Sequence, residues 1–254
     1  MYLPKLTIDL ENYIFGLRPI LELFEEGKIP EKVLIQKGLE GSTFQKLFQI
    51  IREKEIPFQV VPQEKLNRVT RKNHQGVIAW IAEIEYHKLE MLLPEIYEKG
   101  ETPLLVLLDK ITDVRNLGAI ARSAECAGAH AIVMGEKSSA PVNADAIKTS
   151  SGALTRIPVC KERDLMETIA FLKESGIQTV ACTEKADNNL YESKLTGPLA
   201  IIMGSEEKGI SKACLTMADQ KISIPQRGQI GSLNVSVAAG IVLFEVLRQR
   251  EFPS

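Results

Sequence analysis

The sequence lacks several signatures that would place it in a recognisable non-enzymatic or membrane class. None of its 254 residues lie in an apolar run near the roughly 20 residues that a membrane-spanning helix requires. The start, MYLPKLTIDLENY, carries acidic residues where a secretory signal has an apolar segment, so the cytoplasm is the expected compartment and no membrane partner is expected. The four cysteines, Cys126, Cys160, Cys182 and Cys214, are widely spaced and form no C-x-x-C pair. Reduced core thiols are expected rather than a disulfide framework or metal cluster. Three histidines, His74, His87 and His130, show no ligand spacing, so no metal is expected. A net charge of −2 argues against a protein that coats nucleic acid indiscriminately. There is no G-x-G-x-x-G and no Walker sequence, which disfavours NAD and ATP. Repeats and low-complexity segments are also absent.

What is present is ordinary for a globular protein: 44% hydrophobic and 25% charged residues, in a chain long enough for one large domain or two smaller ones. In the first third, Leu17, Ile20, Leu21 and Phe24 follow helical spacing up to Gly27, and Lys32–Ile35 reads as a strand. Ser42 opens a second helix, with Gln45 completing a capping box and Phe44, Leu47, Phe48 and Ile51 on one face. Strands near Phe58–Val61 and Gly76–Ile81 complete a small α/β domain over residues 1–85. The charged stretch 86–103, with Leu89, Leu92, Leu93 and Ile96 at helical spacing, reads as a linker carrying a helix.

Residues 104–254 read as a second domain. LLVLLD (104–109) is a continuous apolar run suited to a parallel strand buried on both faces. AIVM (131–134), TVAC (179–182), LAIIM (199–203) and KISI (221–224) repeat the pattern, with helical segments at 116–127 and 165–174. Alternation of this kind indicates a mostly parallel sheet with helices on both faces, an α/β fold.

Three constellations in this domain carry chemistry. In DVRNLGAIARSAECAG, Asn116 and Arg122 are six residues apart, about 240° around a helix, so they do not share a face. Asn116 reads either as a helix cap or as an amide that meets a ligand at the helix mouth, and Arg122 either as a surface charge or as a side chain projecting one or two turns further along. In IIMGSEEKGIS a buried strand runs into Gly204 and a polar loop that closes at Gly209, with Glu206 between them. This is either an ordinary turn or a nucleoside site beyond the carboxyl end of a strand. In ISIPQRGQIGSLNVSVAAGIVLFEVLRQR a strand meets Pro225, passes a Gly-containing loop and enters a long helix. Ser232 is positioned to cap that helix. Its surface is apolar or small nearly all round from Val235 to Leu247, which suits burial against both a sheet and a partner subunit. A basic cluster, Lys65, Arg68, Arg71 and Lys72, reads either as a solvated loop or as an RNA grip.

Taken together, these segments resemble the SpoU family of knotted SPOUT-type methyltransferases. The family's N-x-G-x-x-x-R stands as Asn116, Gly118 and Arg122, its G-x-E-x-x-G as Gly204, Glu206 and Gly209, and its IP…SLNVSVA as Ile224, Pro225 and Ser232–Ala238. The first domain, from Tyr13-Ile-Phe-Gly to His74-Gln-Gly-Val, is similar to the family's L30e-like RNA-binding domain. HQGVIA (74–79) and residues 183–197 are most similar to members that act on a guanosine of 23S ribosomal RNA. Gln226 and Arg227 depart from the family's usual Met and small residue, and Glu207 stands where Gly is commoner.

The resemblance implies a deep trefoil knot, a homodimer and an S-adenosylmethionine-dependent RNA 2′-O-ribose methyltransferase. It implies cofactor contacts from Thr183, Met203, Gly204, Gly209, Ile224, Pro225 and Leu233. Asn116, Arg122, Glu206, Ser232 and Asn234 are the implied catalytic set, and Arg115 joins the basic cluster as an RNA contact. Competing readings are a tRNA ribose methyltransferase, a noncatalytic L30e-like RNA-binding protein and, least compatible with the missing phosphate loop, an NAD-dependent oxidoreductase.

Overall fold

The computed structural model describes residues 13–81 and 84–252. The acidic start read above for targeting, residues 1–12, lies outside the described residues. The chain divides into two compact units, Met1–Glu83 and Ile84–Ser254.

In the first unit, β1 (Tyr13–Phe15), α1 (Leu17–Glu25), β2 (Pro30–Gln36), α2 (Ser42–Glu53), β3 (Phe58–Val61), α3 (Gln63–Val69) and β4 (Val77–Ile81) follow one another. The strands form one sheet in the order β1-β4-β2-β3. Ile20 and Leu23 of α1 and Leu47 and Ile51 of α2 cover one face, against Val33, Ile35, Val77 and Ala79. Leu66 of α3 covers the other, against Leu34 and Ile78. The expected Ser42–Gln45 capping box does not form. Ser42 is already helical, Gly41 is the cap residue at φ 124°, and no side chain closes the end. The chain enters α2 through a left-handed conformation that favours glycine, which moves the cap one residue upstream of the serine.

The second unit begins with β5 (Tyr86–His87) and α4 (Leu89–Glu98). A linker is expected here, yet both pieces belong to the larger core. β5 pairs in parallel with a strand of the larger sheet, and Leu89, Leu93 and Ile96 are buried against that sheet. The remaining elements are β6 (Leu104–Asp109), α5 (Val114–Cys126), β7 (Ala131–Gly135), α6 (Ala144–Thr149), β8 (Val159–Glu162), α7 (Leu165–Glu174), β9 (Gln178–Cys182), β10 (Leu199–Gly204), α8 (Lys212–Met217), β11 (Gln220–Ile222) and α9 (Val235–Glu251). Seven of these strands form a sheet in the order β11-β9-β10-β6-β7-β8-β5, with parallel pairing throughout.

Continuous apolar runs become strands whose two faces are both covered. Leu104, Val106 and Leu108 of β6 face one core with Ile120 of α5 and Val242 and Leu243 of α9. Leu105 and Leu107 face the opposite core with Leu93 of α4 and Leu172 of α7. Each fully buried leucine contributes about 1.5–3 kcal/mol, which makes the central strands β6 and β10 the anchor of the unit.

Asp113 caps α5, accepting from the backbone N–H groups of Arg115 (2.7 Å) and Asn116 (3.4 Å). Asn116 is therefore not the cap but a first-turn residue, 8% exposed. Gly118 lies where α5 crosses α6: an added Cβ would stand 2.7 Å from the Thr149 Cβ and 2.9 Å from the Ala146 carbonyl oxygen. Within one chain α9 is not buried all round, because Val237 and Phe244 on its outer side are about half exposed. Gly118→Ala should cost about 1–3 kcal/mol of unfolding free energy through overpacking, measurable by urea denaturation. An unchanged midpoint and slope would contradict the close α5–α6 crossing.

Candidate functional site

The carboxyl ends of β9, β10 and β11 open onto a cleft of about 560 Å³, within the range of small-molecule sites. Its position follows from the topology, since loops leaving parallel strands gather at that edge of the sheet. Thr183 follows β9, Met203 and Gly204 end β10, and Ile224 follows β11; all four line the cleft. Ser232, Leu233 and Asn234 close it from the start of α9.

Gly204 is dictated by its own loop. A Cβ there would fall 2.1 Å from the Gly209 carbonyl carbon and from the Ile210 nitrogen, so only glycine lets the loop fold back over the strand end. The Gly209 N–H donates to the Ser205 carbonyl at 2.8 Å, and Gly209 itself takes φ 64°. This tight loop presents Glu206 to the cleft.

The three sequence constellations meet at one side chain, Asn234. Its amide nitrogen donates to the Asn116 side-chain oxygen Oδ1 at 3.0 Å and to a Glu206 carboxylate oxygen. The oxygen of the same amide caps α9, accepting from the N–H groups of Ser236 (2.9 Å) and Val237 (3.3 Å). Asn234, not Ser232, is thus the helix cap. Ser232 lies two residues upstream, exposed in the loop that lines the cleft.

Nine of the expected residues line this cleft: Thr183, Met203, Gly204, Glu206, Gly209, Ile224, Ser232, Leu233 and Asn234. Asn116 joins them through Asn234. Pro225 is exposed and outside the lining, as are Arg115 and Arg122 on α5. Among the described residues Arg122 makes no hydrogen bond or ion pair. Cys182, Lys185 and Lys208 also line the cleft and were not anticipated, since the apolar run that marks a strand does not mark what surrounds its end. Burial pushes the Cys182 thiol up to about 11, so it stays protonated at neutral pH and is no nucleophile.

Lys65, Arg68, Arg71 and Lys72 are exposed on α3 and the loop after it in the first unit. Lys65 donates to the Gln59 side chain at 3.2 Å. The loop beyond is fixed by His74, which is 6% exposed. Its Nδ1 accepts from the Gly76 N–H at 3.0 Å, while Nε2 lies 2.9 Å from the Asn67 side-chain oxygen. That pairing requires the neutral tautomer protonated at Nε2.

Comparison with known proteins agrees with this geometry. The SpoU rRNA Methylase family matches residues 103–244, and the RNA 2'-O ribose methyltransferase substrate-binding family matches residues 13–87. The chain belongs to the SpoU rRNA methylase family. It is 38% identical over 245 residues to the 23S rRNA (guanosine-2'-O-)-methyltransferase RlmB of Yersinia pestis, covering 95% of this chain and 98% of that protein. The RlmB of Escherichia coli (strain K12) is 36% identical over the same length, covering 95% of this chain and 100% of that protein. Among solved structures, the SpoU methyltransferase AviRb from Streptomyces viridochromogenes in complex with AdoMet has a TM-score of 0.60 and 26% identity, covering 98% of this chain and 94% of that one. The expected fold class, a SPOUT-type α/β methyltransferase domain with a smaller α/β domain before it, is the one present.

The cap assignment has a direct consequence for stability. Asn234→Ala should cost about 1 kcal/mol or more, as loss of a side-chain cap does, whereas Ser232→Ala should stay within about 0.5 kcal/mol of wild type. Thermal or urea unfolding distinguishes them, and equal effects would contradict Asn234 as the cap.

Proposed function

We propose that this chain is an S-adenosylmethionine-dependent RNA 2′-O-ribose methyltransferase whose substrate is a guanosine of 23S ribosomal RNA, and that it acts in the cytoplasm as a homodimer. The observation that carries the reading is the convergence of Asn116, Glu206 and Asn234 beside a cleft at the carboxyl edge of the parallel sheet. The substrate assignment is supported by the RlmB relatives, whose likeness runs through both units.

The cleft suits this cofactor. Met203, Ile224, Leu233, Val235 and Ala238 offer apolar surface for a flat base, while Thr183, Ser205 and the strand-end backbone offer polar partners. Glu184, Glu206 and Glu207 add carboxylates suited to a cationic ligand. Among the described residues no loop of the phosphate-cradling kind stands there, as befits a nucleoside without a phosphate chain. When bound, S-adenosylmethionine supplies an electrophilic methyl group on a sulfonium.

The chain's own residues then have separable tasks. Thr183, Met203, Gly204, Gly209, Ile224 and Leu233 hold the cofactor, and Pro225, outside the lining, does not. Asn234 fixes Glu206 and Asn116 and so shapes the place where the ribose enters, with Ser232 beside it. Ribose 2′-OH is a weak acid, so its developing negative charge needs stabilisation as the proton leaves. Arginine remains protonated, and Arg122 serves by holding a substrate phosphate and stabilising the alkoxide. Alignment of the three reacting centres in line contributes several kcal/mol to lowering the barrier.

Arg122 is exposed and does not line the cleft of its own chain, which suits a role at the cleft of a partner. The exposed Val237 and Phe244 on α9 offer the apolar surface that such a dimer buries. Lys65, Arg68, Arg71 and Lys72, together with Arg115, contact RNA phosphates.

Arg122→Ala should lower methyl transfer to ribosomal RNA by at least about a hundredfold while leaving the affinity for S-adenosylhomocysteine within about threefold. A tritiated-methyl assay paired with calorimetry reads both. Normal turnover in the variant would overturn the assignment.

A further inference from the structure

Asp109 has no task in the site described above, yet it is a carboxylate only 3% exposed at the carboxyl end of β6. Its register partner on β10 is Gly204. One of its oxygens accepts from the Ser211 N–H at 2.6 Å, across 102 residues of chain. No ion pair to Asp109 forms among the described residues. A buried carboxylate without a cation is costly unless hydrogen bonds satisfy it, so the bonds from the Ser211 N–H and the Cys214 thiol are the compensation that its placement demands. The thiol of Cys214 lies beside the same carboxylate, and burial first, then that neighbouring charge, pushes the thiol up.

The location of Ser211 gives this contact its meaning. The cleft loop leaves the sheet at Gly204 and rejoins regular structure at Ser211, which caps α8. Its entry is pinned by the backbone contact between Gly204 and Gly209. At its exit the Asp109–Ser211 bond ties the loop to the end of β6, beside Ile210, which packs into the core under the sheet. Between the two lie Glu206, which meets Asn234, and Ile210, which is buried and lines the cleft.

We infer that Asp109 is a positioning residue for cofactor binding: it locks the exit of the 205–211 loop to the end of β6 and thereby holds that wall of the cofactor cleft in its binding shape. This rests on the cofactor assignment made above. Charge-assisted bonds to backbone N–H groups are about twice as strong as neutral ones, which suits a tie that must hold a loop containing Gly209.

The test uses the full chain, S-adenosylhomocysteine as probe and two substitutions. Asp109→Ala should weaken binding by about tenfold or more and raise the KM for S-adenosylmethionine. Its kcat at saturating cofactor should stay within about threefold of wild type. Asp109→Asn should restore affinity to within about threefold of wild type, because the amide oxygen accepts the same N–H. Hydrogen exchange should show faster amides over 205–211 in Asp109→Ala, with β6 and β10 still protected. Wild-type affinity in Asp109→Ala, or an Asp109→Asn as weak as the alanine variant, would overturn the inference and leave the cofactor assignment standing. Absence of binding to the wild-type chain would overturn both. Should the alanine variant fail to fold, the asparagine variant decides alone: preserved affinity and loop protection support the role, and preserved affinity with lost protection overturns it.

Discussion

The parallel pairing of β6 with β10 is the constraint on which the rest of this molecule depends. All six residues of each strand are buried, so neither can slip or tilt without exposing apolar surface on one face or the other. Because the strands are parallel and in register, Asp109 and Gly204 emerge side by side at the same edge. β9 and β11 extend that edge on one side. Three loops are thereby brought together that the chain separates by dozens of residues. The cleft is a consequence of the sheet and not of any one loop.

A single amide then ties the site together. Asn234 spends its oxygen on the start of α9 and its two N–H groups on α5 and the β10 loop. Both ends of the side chain are committed, so its orientation is determined and a flip would leave donors facing N–H groups. The link between cap and site means that the position of the long helix and the position of Glu206 are set by the same residue. Only polar contacts of this kind are needed at the cleft mouth, since the sheet beneath already fixes the strand ends.

Much of this was legible in the sequence because its physics is local. Continuous apolar runs identify β6, β7, β9 and β10, since a strand covered on both faces has no polar side to show. Glycine at 204 and 209, with a glutamate between, marks a loop that must fold tightly. Less legible were features that depend on backbone entry angles or on distant partners. Ser42 and Ser232 are good capping residues by type, yet the chain reaches helical conformation after Gly41 in one case and Asn234 in the other. β5 is two residues long and exists only because β8 offers it an edge. The helix 89–98 reads as part of a linker because its apolar stripe is short and its neighbours are charged. Packing against the larger sheet is what assigns it. Asn116 and Arg122 stand on different faces of α5, as their spacing requires, and only the first reaches the site of its own chain.

The same physics separates residues that hold the cleft from those that act in it. Gly118 and Gly204 belong to motifs that invite a ligand role, but the atoms nearest to them are the protein's own backbone and side chains. Their requirement is steric. Glu206, Asn116 and Arg122 have no comparable packing duty, which suits the roles proposed for them. The reaction is tested most directly by the chemical position of the transferred methyl. Incubation of the protein with methyl-tritiated S-adenosylmethionine and unmodified 23S ribosomal RNA, followed by alkaline hydrolysis, reads that position. Ribose methylation predicts label in an alkali-resistant dinucleotide that contains 2′-O-methylguanosine; label on a base, or none transferred, would contradict it.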